Sequence, residues 1–324
     1  MVSNTLRVYA TQTISTQFLR QAYDPVLQRL YLVTPVTDSA SGASLAIYDT
    51  VSGSQIASVP SGLTDPELIA VSDDGEFVYL TGGASGLQIV RFNVAAGAFD
   101  LGWQAALPPL AVAASIQAIF VATGSPETLI VTLSYQPGLP NYRNGGDQDV
   151  GGQTVIYDGA VPRFLTALDS GVQLYSLIGA EFIWPFAAFA SGNRVIFENL
   201  SVSGGACWQW LDFDSFSVEG GSSVCGPEPP ELVHDHGVSY LTDGNRTLVV
   251  TFPGGAGTGY QPILLVDPNQ RSAWSLAQGT LTTLNLDSLA QSASSITSIG
   301  IPEALYRTPS GPLLVTSSSF YPIP

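Results

Sequence analysis

Lysine is absent. All ten basic residues are arginines, set against 26 aspartates and glutamates, for a formal net charge of -16. So acidic a chain does not bind nucleic acid by neutralising phosphates, and anionic membranes repel it. Charged residues make up only 11% of the chain and hydrophobic ones 45%, which excludes the composition of a disordered protein. Cysteine and histidine occur twice each, too few for a centre built from many imidazoles and thiolates. No window of 18 residues is uniformly apolar, so no membrane-spanning helix is expected. The richest stretch, Ala111 to Val121, is short and interrupted by Ser115 and Gln117. The first 14 residues, MVSNTLRVYATQTI, lack a basic segment followed by a long apolar one and do not read as a signal peptide. No G-x-S-x-G elbow, P-loop or helix-opening G-x-G-x-x-G is found. Helical periodicity is nearly missing as well.

What is there repeats. Short strands with alternating polarity are separated by turns of Gly, Pro, Asp and Ser. Each copy runs from an apolar strand through a tight polar turn to a second strand rich in Tyr, Leu and Val. The copies are QAYDPVLQRLYLVTP around Asp24, IAVSDDGEFVYLTG around Asp73 and IFVATGSPETLIVTLS around Gly124. The fourth, VQLYSLIGAEFIWPFA, is placed around Gly179. The fifth to seventh are ELVHDHGVSYLTD around Asp235, ILLVDPNQRSAWSLA around Asp267 and SIGIPEALYRTPSG around Glu303. Third strands follow, such as SLAIYDTVSG from Ser44, LQIVRFNVAAG from Leu87 and CWQWLDFDSF from Cys207. The last copy has only PLLVTSSS from Pro312. Seven copies share the chain at about 46 residues each, the size of a four-stranded propeller blade. The sequence therefore predicts an all-β, seven-bladed β-propeller in one domain, residues 1–324. Blades fall near 15–63, 64–111, 112–170, 171–229, 230–260, 261–296 and 297–324. The N-terminal strand, within residues 1–14, completes the last blade and closes the ring, removing its open edge.

DPVLQRLYLVTP, SLAIYDTVSGSQIASVPSG and PELIAVSDDGEFVYLTGG resemble the blade of bacterial seven-bladed propellers of the YVTN, or quinoprotein-amine-dehydrogenase-like, type. The resemblance implies that fold and a cell-surface or periplasmic setting. It implies no single reaction, because propellers host many functions.

Candidate sites follow from the repeat. The insertion Tyr135 to Gly152 lies between a second and a third strand. Its Tyr135, Tyr142 and Arg143 suit stacking and hydrogen bonding to a sugar or peptide. Asp147 and Asp149 suit calcium, which takes oxygen ligands in flexible geometry. A plain surface loop is the competing reading. Asp65, Glu67, Glu228 and Glu231 precede first strands, and Asp65 with Glu67 is a second candidate cation pair. Thr166 to Gly171 is another first-strand approach, and Val36 to Ala43 and Ala187 to Ala206 read as further second-to-third loops. His234 and His236 have the spacing of a zinc pair, but His234-Asp235-His236-Gly237 fits a turn better. Asp24, Asp73, Asp74 and Asp267 fall in the same turn slot and read as turn formers. Trp184, Trp208 and Trp210 read as packing between blades. Cys207 and Cys225 flank a segment whose midpoint is Phe216, and a hairpin folded there sets them opposite each other, close enough for a disulfide.

The expected function is a non-enzymatic extracytoplasmic binding or surface-scaffold module, extracellular, at the cell surface or periplasmic. No cofactor is predicted beyond calcium at the acids above. The partner is a protein or carbohydrate at the loop face, or a further copy of the chain, with no nucleic acid and no membrane insertion. The alternatives are a cation-dependent, lactonase-like hydrolase or lyase, and a structural subunit of a filament or surface layer.

Overall fold

A computed structural model of the chain describes residues 12–14, 17–36, 42–83, 87–105, 113–135, 152–162, 182–201, 206–212, 218–219, 230–243, 247–251, 263–277, 279–295 and 301–323. Among them there are 27 strands and no helix. The strands form seven sheets, and with one exception each sheet uses strands consecutive in sequence.

β1 (Gln12–Thr13) is the exception. The first consecutive sheet holds β2 (Arg20–Asp24), β3 (Arg29–Thr34), β4 (Ser44–Asp49) and β5 (Gln55–Pro60). The second holds β6 (Leu68–Val71), β7 (Phe77–Gly82), β8 (Gln88–Asn93) and β9 (Ala98–Phe99). The third holds β10 (Ala113–Ala122), β11 (Ser125–Tyr135), β12 (Gly152–Asp158) and β13 (Val161–Pro162). The fourth holds β14 (Phe182–Ser191), β15 (Arg194–Ser201), β16 (Ala206–Asp212) and β17 (Val218–Glu219). Three strands make the fifth: β18 (Leu232–Asp235), β19 (Val238–Thr242) and β20 (Thr247–Thr251). The sixth holds β21 (Ile263–Asp267), β22 (Ser272–Ala277), β23 (Thr280–Asn285) and β24 (Gln291–Ser295). The seventh holds β25 (Pro302–Thr308), β26 (Gly311–Thr316) and β27 (Ser319–Pro322). β1 pairs antiparallel with β27, Gln12 opposite Phe320 and Thr13 opposite Ser319, so the N-terminal strand is the fourth strand of this last sheet.

The chain divides into two compact units. One comprises Leu19–Ile47 and Ala57–Pro229; the other comprises Met1–Phe18, Tyr48–Ile56 and Pro230–Pro324. In the first unit the second strand of a sheet is covered on both faces. Leu30, Tyr31, Leu32 and Val33 of β3 are all fully buried, as are Val78, Tyr79 and Leu80 of β7. That is why these strands are unbroken apolar runs and do not alternate. Tyr31, Val33, Leu45 and Ile47 of the first sheet meet Val78, Leu80 and Phe92 of the second in one core. Tyr79, Ile89 and Trp103 of the second meet Ile119, Leu129, Val131 and Tyr157 around the third in another. The fourth strand is at the surface: β5 buries no residue completely. In the second unit Leu265, Trp274 and Leu276 pack with Leu305, Leu314 and Tyr321. The Tyr48 ring meets Phe320 edge-on at 6.0 Å.

Several sequence assignments move. Gly179, around which the fourth copy is placed by the sequence, lies outside the described residues. The first hairpin of that copy turns at Gly192, whose left-handed φ of 52° a tight turn needs, with Ser191 opposite Arg194. Ala187 is accordingly inside β14, opposite Phe197, and Ala187 to Ala206 is not a loop. The β15–β16 connection starts only after Ser201. In the seventh copy Glu303 lies within β25, and Pro309 and Ser310 make the turn. PLLVT is therefore a second strand, and β27 is the third.

Two glycines serve different purposes. A Cβ on Gly82 would sit 2.2 Å from the Asp65 carbonyl oxygen, because β7 passes directly against the approach to β6. A Cβ on Gly97 would meet nothing within 4 Å. We expect Gly82→Ala to cost about 1–3 kcal/mol by overpacking, and Gly97→Ala only the left-handed backbone term of about 1 kcal/mol. Denaturant titration of both variants checks the order, which equal losses would contradict.

Candidate functional site

The repeated acids sit where the first strand of a sheet turns into the second, and they do two jobs. Asp24 and Asp267 are each the last residue of a first strand and are followed by a proline. The Oδ1 of Asp24 accepts the N–H groups of Val26 (2.8 Å) and Leu27 (3.1 Å). That of Asp267 accepts those of Asn269 (2.9 Å) and Gln270 (3.1 Å). In the second sheet Ser72 caps the turn: its Oγ accepts the Phe77 N–H at 2.9 Å and donates to Asp74 at 2.7 Å. The turn-forming role expected of these residues is what the geometry shows.

The second job is to reach the next sheet of the same unit. Asp73 Oδ2 accepts the Gly124 N–H at 2.9 Å. Asp267 Oδ1 lies 3.8 Å from Arg307 Nη1. Asp24 packs against the turn glycine Gly75, where a Cβ would stand 2.6 Å from Oδ2. Asp235 accepts Arg271 Nη1 on one oxygen at 2.5 Å and meets His236 Nδ1 on the other at 2.5 Å, while Arg271 Nε donates to Asp287 at 2.9 Å. Burial alone would raise the Asp235 carboxyl, but the bonds from Arg271 and His236 hold it below its ordinary value.

Both histidines are therefore engaged in the hairpin. His234 Nδ1 lies 2.8 Å from Ser239 Oγ across the ladder, and His236 with Gly237 forms the two-residue turn at φ 49° and 82°. Two left-handed residues make a type I′ turn, whose twist suits a hairpin. The turn is thus centred one residue later than the sequence reading, with His234 in β18. Among the described residues no group of three Asp, Glu, His or Cys is arranged around a metal position.

Asp65 and Glu67 lie just before β6, as the repeat implies; Asp65 is exposed and Glu67 half-buried. The Glu67 backbone is used on both sides, its N–H donating to Thr81 O (2.9 Å) and its carbonyl accepting Arg20 Nε. Tyr135 ends β11 and Gly152 opens β12, which fixes the ends of the long insertion. Tyr142, Arg143, Asp147 and Asp149 lie outside the described residues, as do Glu228, Cys225 and Thr166 to Gly171. Cys207 is in β16 opposite Asn199. On its other side β16 pairs with β17, Trp210 opposite Glu219 and Leu211 opposite Val218. That register centres the hairpin before Phe216, so the symmetry from which the Cys207–Cys225 pairing was read is shifted. Trp210 is buried at 5% exposure, in keeping with a packing role.

Two arginines escaped the sequence reading. Arg91 donates to Asp100 and Glu127, each at 2.7 Å, with its guanidinium 4.3 Å from the Phe77 ring centre and 5.2 Å from that of Trp103. It ties the second sheet to the third, and nothing in its local pattern, QIVRFN, announces it. Arg271 takes the left-handed slot of its turn (φ 51°), where the repeat gives reason to expect glycine.

These features define a class: an all-β repeat protein whose sheets are latched through their first turns. No family model matches the chain, and no curated protein does. Among solved structures it is similar to the β-propeller domain of Myceliophteria thermophila Cps50 (Swd1), with a TM-score of 0.56 and 9% identity, covering 96% of this chain and 98% of that one. At that identity the likeness speaks for the fold alone: the chain has a β-propeller fold, and this neighbour is not of the bacterial YVTN type.

Asp24 generates a pH prediction. It is fully buried, and among the described residues Oδ2 has no hydrogen-bond partner. Burial raises its carboxyl above the ordinary 3.8, against the Val26 and Leu27 N–H groups and Arg29, which lower it; Asp74 adds to the rise. A folded-state value above the unfolded one contributes stability that is fully present below pH 3.8 and is lost as pH rises through the folded value. Asp24→Asn keeps the Oδ1 acceptor and cannot ionise. Its stability relative to the parent should therefore improve as pH rises through that window, as read by denaturant titration at a series of pH values. A difference that stays flat contradicts the assignment.

Proposed function

We propose that the chain is a non-enzymatic, extracytoplasmic binding module. It is a propeller of the YVTN-like type, with seven blades closed by β1, that presents a protein- or carbohydrate-binding face on the loops between second and third strands. The observation that carries this reading is how the reactive groups are spent. Among the described residues both histidines and the turn acids Asp24, Asp73, Asp74, Asp235 and Asp267 are committed to hairpin turns and to latches between neighbouring sheets. A rigid scaffold is what remains, and on such a scaffold recognition belongs to the loops. Support for the ring comes from the β1–β27 pairing and from seven sheets in sequence order. Support for the extracytoplasmic setting comes from the lysine-free, acidic composition.

The binding face is assigned to the insertion between β11 and β12, through Tyr135, Tyr142 and Arg143, with Asp147 and Asp149 available to calcium. Aromatic side chains next to a guanidinium give stacking area and directional donors at small entropic cost. The full chain is to be screened on immobilised glycans and peptides, with and without calcium. The expected result is saturable binding that Tyr142→Ala and Arg143→Ala each weaken about tenfold without a change in melting temperature. Hydrolytic turnover that disappears in Asp65→Asn with Glu67→Gln would replace this reading with the enzyme alternative.

A further inference from the structure

We draw no further inference here: the strongest candidate, the uncharged outer edge of the sixth sheet along β24 (Gln291–Ser295), carries nothing because the structure does not show what covers it.

Discussion

A carboxylate at the first turn of four of the seven sheets, at Asp24, Asp73, Asp235 and Asp267, governs the rest. Folding a sheet of short strands leaves turn N–H groups without partners, and neighbouring sheets must also be held in register. Asp24 and Asp267 meet the first need through Oδ1, each accepting two turn N–H groups. Asp73, Asp235 and Asp267 meet the second by bonding or pairing with the following sheet of their own unit, at Gly124, Arg271 and Arg307. One residue type at one slot closes a hairpin and fixes its neighbour. The cost falls on Asp24. The position corresponding to Arg307 in the second sheet is Val71, just before the cap Ser72 as Arg307 is just before Thr308, so among the described residues the second oxygen of buried Asp24 accepts no hydrogen bond.

Packing follows from the same arrangement. Once the turns fix the spacing of the sheets, a second strand is enclosed on both faces and its side chains must fill the gap. Tyr31 and Tyr79 occupy equivalent places, and both rings are fully buried. Tyr79 carries its hydroxyl across to the Pro126 carbonyl at 2.7 Å. Tyr31 has its hydroxyl beside Arg29 and Asp24, and burial, with the charge of Asp24, pushes it up to about 12. It stays neutral at physiological pH. The arginine that matters most to the first unit, Arg91, works by the same economy of position. Its charge is matched by Asp100 and Glu127 while its plane is covered by Phe77 and Trp103, so a cation is placed between sheets without being stranded there.

The parts of this architecture that were legible in the sequence are those with local causes. Alternation broken by Asp-Pro at Asp24 and Asp267, or by a turn glycine near Asp73, Gly124 and Asp235, marks these hairpins, and at Asp24, Asp267 and Ser72 the turn is held by bonds within five residues. The two misplaced turns have the opposite character. VQLYSLIGAEFIWPFA and SIGIPEALYRTPSG contain turn-forming residues, but β14 runs on to Ser191 before Gly192 and β25 to Thr308 before Pro309. The pairing of β1 with β27 was legible for a different reason: a last copy short of a strand and an orphan strand at the start fit together. The latches of Arg91 and Arg271 were not legible, since each joins residues at least 36 positions apart in different sheets. The candidate ligands split in the same way. Asp65 and Glu67 stand where the repeat puts them, while for Asp147 and Asp149 only the ends of their loop, Tyr135 and Gly152, are given by the strands.

Departures from the repeat carry information of their own, because the repeat itself answers only to folding. Glycine at the left-handed slot of a third-to-fourth turn is what folding asks for, and Gly53 and Gly97 supply it. Arg271 departs from glycine and gains two carboxylates in return, so its strain is offset within the fold. Leu289 departs from glycine and gains no such bond, and half its surface faces water. Its cap is Asn285 where the others have Asp49 and Asn93, its left-handed φ is 58° against 74° and 64°, and what sets this turn apart is a half-exposed leucine side chain.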